Sequence, residues 1–261
     1  MVPPKSRLAL LAAGLALACG GVAAQDPPDP PAVAKECGEA RLADKPLPNS
    51  AAALQQRKRI KMLAIGASSA AVLGKGRNGY PPLLERILER AIKGLDVEIV
   101  NRGFSGELAE AASERLKIEV ALNEPDIVLW QVGTNDALAH VPVESFEQTV
   151  SGTVQWLKEH NVDLILVGLH YNKHLAKDPH YQAIRESLRR ISTEQNVLRI
   201  GRYEAMEVLA RTKTGNGRPE PDDFGQTEAG YNCMAQYIAH TITVGLFAKP
   251  RKPGPTPDQG K

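Results

Sequence analysis

A serine that closes an apolar run is the first candidate for chemistry in this chain. The short run Lys61 to Ile65 leads into Gly66-Ala67-Ser68-Ser69. Two other runs end in similar clusters: Val97 to Val100 leads into Asn101-Arg102-Gly103-Phe104-Ser105-Gly106, and Ile127 to Val132 into Gly133-Thr134-Asn135-Asp136. A hydroxyl, glycine N–H groups and a primary amide are parts from which acyl transfer can be assembled. The hydroxyl attacks a carbonyl carbon, and the donors receive the negative charge that develops on its oxygen. Each residue also has a plainer use. A serine at a strand-to-helix turn caps the helix, an asparagine closes its own turn, and a glycine supplies a positive φ or close backbone packing.

These groups can cooperate only if the fold brings the ends of the apolar runs to one edge. Leu164 to Leu169 and Val197 to Ile200 also read as strands, which makes five. Helical patterns separate them. Leu83, Leu84, Ile87, Leu88, Ala91 and Ile92 share one stripe, opened by Pro81 and Pro82 and closed by Gly94. Glu107 to Leu122, Val143 to His160, Pro179 to Gln195 and Thr227 to Val244 continue the alternation. Strands that are apolar on both faces and take turns with helices predict an α/β fold, a three-layer α/β/α sandwich around a central parallel sheet. In such sheets ligands bind beyond the carboxyl ends of the strands, where the serine, glycine and asparagine clusters stand.

The chain has 261 residues, 43% hydrophobic and 24% charged, which suits a single core. Residues 1–24 have the layout of a secretory signal peptide: Lys5 and Arg7, then the apolar run Leu8 to Ala18, then Val22-Ala23-Ala24. Cys19, in Leu17-Ala18-Cys19-Gly20, offers a lipid anchor as the alternative. The apolar run is too short for a membrane-spanning helix, and no later stretch is longer, so no integral span is expected. Residues 25–58 are expected to form a linker and N-terminal extension, 59–247 the folded domain, and 248–261 a disordered tail rich in proline and lysine. Removing the leader takes the formal net charge from +2 to zero, which leaves no electrostatic case for nucleic acid. Export leaves Cys37 and Cys233 in an oxidising compartment, either as separate thiols or, as expected here, bridged. Gly74-Lys75-Gly76 lacks the spacing of a phosphate loop.

Over residues 59–245 the clusters together resemble the motifs of the SGNH (GDSL-like) hydrolases. Gly66-Ala67-Ser68 stands where that family has Gly-Asp-Ser, with Ala67 in place of the aspartate. The cluster ending at Gly106 is similar to the family's second block, and Gly133-Thr134-Asn135-Asp136 matches its Gly-x-Asn-Asp. The flanks Gly79-Tyr80-Pro81, Trp130-Gln131 and Gly230-Tyr231 agree, and Cys37 with a cysteine after Gly-Tyr looks like an exported bacterial subgroup. The resemblance implies a flavodoxin-like domain with Ser68 as nucleophile, Gly106 and Asn135 as oxyanion donors, and Asp222 as the acid that orients a histidine.

That histidine is missing. In Asp222-Asp223-Phe224-Gly225 a glycine occupies the place of the family's Asp-x-x-His. General-base help is worth roughly 10²–10⁴ in rate, so its loss matters. Of the six histidines, His140, His160, His170, His174, His180 and His240, His170 leaves its strand at the same edge as Ser68 and Asn135. His170, or His174 on the loop that follows, is the candidate substitute base. The two are four residues apart, but no cysteine or clustered carboxylate completes a metal site, and acyl transfer needs no cofactor. The expected function is a periplasmic or secreted serine esterase with an atypical triad, acting on small acyl esters such as acetylated carbohydrate. The alternative is a catalytically inactive domain that binds a glycan or acyl ligand in the cell envelope.

Overall fold

The computed structural model describes residues 27–38, 45–66, 79–212 and 228–248. The leader, Ala67 to Ser69, Gly74 to Gly76, Asp222, Gly225 and the tail after Ala248 lie outside them. Five strands, β1 (Arg59–Gly66), β2 (Asp96–Gly103), β3 (Ile127–Gln131), β4 (Asp163–Val167) and β5 (Leu198–Ile200), match the five predicted runs to within a few residues. All pair in parallel, side by side in the order β2-β1-β3-β4-β5. This is the flavodoxin-like order, in which the winding reverses between β1 and β3 and opens a crevice there.

Eight α-helices surround the sheet among the described residues: α1 (Pro48–Arg57), α2 (Pro81–Ala91), α3 (Ala109–Asn123), α4 (Thr134–Leu138), α5 (Val143–Glu159), α6 (Pro179–Glu194), α7 (Arg202–Thr212) and α8 (Glu228–Phe247). Alternation along the strands builds two apolar layers. Met62 and Ala64 of β1, with Ile127 and Leu129 of β3, pack beside Leu54 of α1, Leu84 and Leu88 of α2, and Ile238 and Ile242 of α8. Leu63, Ile65, Val128 and Trp130 face the other way, toward Leu116 of α3, Val150 and Val154 of α5, and Ile184 and Leu188 of α6. The three-layer sandwich read from the alternation is the fold observed.

Three helices were not foreseen. α4 is only five residues long, too short to show a period, and α7 starts one residue after Gly201. α1 lies within the stretch expected to be an N-terminal extension, and its buried face is only Ser50, Ala53 and Leu54. Its start is nevertheless well defined. Pro48 opens the first turn, and Leu47 before it contributes no capping side chain. The free N–H groups are met instead by Asp163 at the start of β4. Its carboxylate accepts from the Ser50 N–H and the Ser50 hydroxyl, both at 2.8 Å, and from the Asn49 amide at 3.0 Å. A carboxylate on a strand thus caps a helix more than a hundred residues earlier.

The segment before α1 is strapped to one face of α8. Ala34 N–H donates to the Gln236 side chain at 2.7 Å, His240 Nδ1 lies 2.9 Å from the Pro31 carbonyl, and the Tyr237 hydroxyl donates to the Cys37 carbonyl. Positions 233, 236, 237 and 240 fall on one helical stripe. Cys37 and Cys233, with Cα atoms 5.3 Å apart, close this strap as the expected disulfide.

At the other end of β1, Gly66 has φ +101°, and a Cβ built on it would sit 2.0 Å from the Gln131 carbonyl oxygen. No side chain fits there, and an L-residue would also be strained at that φ. Gly66→Ala is expected to destabilise the protein by about 3 kcal/mol or more, measured as a fall in the urea midpoint, because the β1–β3 contact must open. Replacing both Cys37 and Cys233 by serine is expected to cost about 2–5 kcal/mol in the same assay, the cost of freeing a loop that spans most of the chain.

Candidate active site

The carboxyl ends of β1, β2 and β3 are level, since Gly66 pairs with both Gly103 and Gln131. The loops that leave them are tied to one another by a single buried carboxylate. Asp136, the third residue of α4, accepts from the Ala109 N–H at 2.8 Å with one oxygen and from the Gly133 N–H at 3.2 Å with the other. The second bond is half of a capping box, closing back on the helix's own N-cap; the first reaches across to the start of α3. Burial pushes the Asp136 carboxyl above its ordinary value, and the two N–H groups pull the other way. Gly133 itself has φ +102°, and a Cβ there would lie 2.7 Å from the Leu169 side chain.

This lock sets Asn135 against the β2–α3 loop. Its Nδ2 donates to the Glu107 carbonyl at 2.9 Å. Glu107 is held in turn by a two-pronged pair with Arg115, at 2.8 and 2.6 Å. The residue before Glu107 is Gly106, at φ +79°, whose N–H donates to no carbonyl among the described residues. The amide of Asn135 is thereby anchored to the loop that carries Gly106. The structure therefore brings Gly106 and Asn135 together, whereas Ser68 and Asp222 lie outside the described residues.

His170, the first half-exposed residue after β4, reaches the same edge. Its N–H donates to the Thr134 hydroxyl at 3.0 Å, its carbonyl accepts from the Tyr181 hydroxyl at 2.5 Å, and its Nδ1 lies 3.4 Å from Nη2 of Arg202. Arg202, the first residue of α7, is only 3% exposed, near enough to the phenols of Tyr80, Tyr181 and Tyr231 for their charge to act on it. Burial draws its guanidinium below the usual range and pushes the Tyr181 phenol up to about 12. His174 differs: it is exposed, and its N–H closes a turn on Asn172 at 2.8 Å. No group of three His, Cys, Asp or Glu side chains comes together among the described residues.

Asp136, Thr134, Tyr181 and Arg202 belong to this edge without having been singled out in the sequence. Asp136 left a readable signal, an acid three residues after a glycine that ends a strand. The others left none, because their partners come from elements far apart in the chain.

The profile of a family described as non-GDSL lipase-like matches residues 35–247. Esterase TesA of Pseudomonas aeruginosa is 28% identical over 116 residues, 44% of this chain and 57% of the esterase. The chain thus spans little more than half the length of that relative. Among solved structures, an acetylxylan esterase from Geobacillus stearothermophilus has a TM-score of 0.56 at 21% identity, covering 70% of this chain and 94% of that one. An α/β hydrolase from the metagenome of Lake Arreo, Spain, has the same score and identity, covering 71% and 96%. At that identity the likeness establishes the fold.

Asp136→Asn keeps one acceptor but turns an amide toward the other N–H, and is expected to cost about 1–3 kcal/mol in urea unfolding. The sign of its pH dependence follows from the raised carboxyl. The native protein takes up this proton before the unfolded chain does, so the Asp136 contribution is largest below the ordinary value and is lost as pH rises through the raised one. The stability gap between parent and variant should widen from about pH 7 to about pH 4, and a gap that narrows would contradict this assignment.

Proposed function

Because the chain belongs to the non-GDSL lipase-like family, we propose that it is an exported serine ester hydrolase acting on small acyl esters, acetylated carbohydrate among them. The observation that supports this reading is the hydrogen bond from Asn135 Nδ2 to the Glu107 carbonyl, which holds Asn135 beside the residue that follows Gly106, at the carboxyl edge of the sheet. In the proposed reaction Ser68 Oγ attacks the ester carbon and passes its proton to a water molecule, and the carbonyl oxygen becomes an oxyanion held by Gly106 and Asn135. Collapse expels the alcohol, which takes up a proton and leaves an acyl-serine. Water then attacks that acyl-enzyme, releasing the acid and returning the proton to Ser68. The donors are preorganised, since Asp136 and the Glu107–Arg115 pair hold both loops before any substrate arrives.

Asp222 is assigned as the acid of an incomplete triad, with Gly225 where its histidine would stand. Turnover is then expected to be slow. Export is supported by the layout of residues 1–24 and by the Cys37–Cys233 disulfide, a bond that persists in oxidising compartments. No described helix is long and apolar enough to cross a membrane. Residues 59–247 are proposed as the hydrolase domain, with α1 and the strap before it as its N-terminal brace.

Gly225 favours one second reading, a domain that keeps the pocket to bind a glycan or acyl ligand without turning it over. Hydrolysis of 4-nitrophenyl acetate by residues 25–261 separates the two. The expected result is slow turnover abolished by Ser68→Ala, lowered about 10²–10³-fold by Asn135→Ala, and raised about 10²–10⁴-fold by Gly225→His. A parent indistinguishable from Ser68→Ala, with activity appearing only in Gly225→His, would establish the binding reading.

A further inference from the structure

Glycine inside a helix costs stability relative to alanine, so a helical glycine calls for a reason. Gly152 lies in the interior of α5. It is not among the glycines with positive φ, and a Cβ built on it would meet nothing within 4 Å. Neither backbone conformation nor close packing therefore requires it. Its effect is to open a groove of about 450 Å³ between α3 and α5, a volume in the range of small-molecule sites. From Gln148 to Glu159 the groove follows α5 for about 16 Å, at 1.5 Å per residue.

The lining is built of held groups. Thr153 Oγ1 donates to the Thr149 carbonyl at 2.7 Å, so in the buried pair of hydroxyls at 2.6 Å it is Ser113 that donates, across from α3 to Thr153. Trp156, half-buried, has the His160 ring stacked on it with centroids 3.9 Å apart, and His160 Nδ1 donates to the Trp156 carbonyl at 2.7 Å. The other groups supply both halves of a hydrogen bond. Carboxylates of Glu110, Glu114 and Glu159 accept, the Lys117 ammonium donates, and the amides of Gln148 and Gln155 do both. A small cation would leave these donors unused, and a small anion would meet three carboxylates against one ammonium. A neutral polyol uses donors and acceptors alike, and a sugar ring adds an apolar C–H face that suits an indole.

We propose that the groove between α3 and α5 binds an extended neutral oligosaccharide, with a sugar face against Trp156 and the chain lying over the bare backbone at Gly152. Binding there involves none of the groups assigned to ester hydrolysis, so it stands or falls apart from that reading.

The chain has two tryptophans, and Trp130 is fully buried, so emission reports on the groove through Trp156. Titration with xylotetraose, maltotetraose and chitotetraose, followed by emission and by calorimetry, should show saturable binding of at least one. The emission change should be absent from Trp156→Phe. In calorimetry Trp156→Ala and Gly152→Gln should each weaken Kd about 10-fold or more. Gly152→Ala should raise the urea midpoint, because no neighbour opposes the added methyl, while it weakens sugar binding. These variants should leave turnover of 4-nitrophenyl acetate as it is in the parent. Binding of none of the three sugars would overturn the assignment, and so would binding that Gly152→Gln and Trp156→Ala leave unchanged. Saturable binding of spermidine in place of the sugars would make the groove a cation site and overturn it equally.

Discussion

The close approach of β1 and β3 at Gly66 is the constraint on which the candidate site depends. With a missing Cβ and a left-handed φ at one residue, β1 can end against the Gln131 carbonyl while pairing with β2 on its other side. Three strand ends thereby stop at the same level, at the place where the sheet reverses its winding. Any side chain at Gly66 would push β1 off β3 and separate the loops that the site requires. The Phe104 N–H, bonded to the Gly66 carbonyl at 2.9 Å, carries the same alignment into the β2–α3 loop.

Level strand ends do not by themselves orient the groups that follow them. Here the buried Asp136 carboxylate joins α4 to the start of α3, and Asn135 completes the link through the Glu107 carbonyl. Burying an ionisable carboxyl is unfavourable, as its raised proton affinity shows. The arrangement persists because both of its oxygens meet N–H groups that would otherwise be unpaired. A similar device operates at the opposite end of the sheet, where Asp163 caps α1 and draws the N-terminal segment into the body of the protein. Strap, disulfide and α1 all pack on or beside α8, whose N-terminal end follows the segment containing Asp222 and Gly225.

At the edge of the sheet the protein brings together two unlike sets of donors. Gly106 and Asn135, proposed as oxyanion donors from the resemblance to SGNH hydrolases, sit on the loops after β2 and β3. The His170–Arg202 pair with its tyrosines is the other set, built on the ends of β4 and β5 instead of β1 to β3. A guanidinium that is 3% exposed is costly to bury, and that burial draws it below its usual range.

Much of this fold was legible in the chain. Short apolar runs marked all five strands, most plainly β3 and β4, because a strand buried on both faces has no polar alternation to obscure it. Wide apolar stripes with proline or glycine at their ends marked the long helices. What could not be read were elements whose reason for existing is a distant partner: α1 needs Asp163, α4 is a single turn closed by Asp136, and α7 begins at an arginine that meets tyrosines from α6, α8 and the residue before α2. The sequence by itself determined the layering, the parallel sheet and the edge at which the polar clusters would gather, since these follow from local periodicity and from residues in consecutive turns. Only the tertiary structure decided that Asn135 is anchored through Glu107 and that the His170 ring lies against Arg202, because such contacts depend on which atoms of remote elements meet, and spacing along the chain carries no record of that.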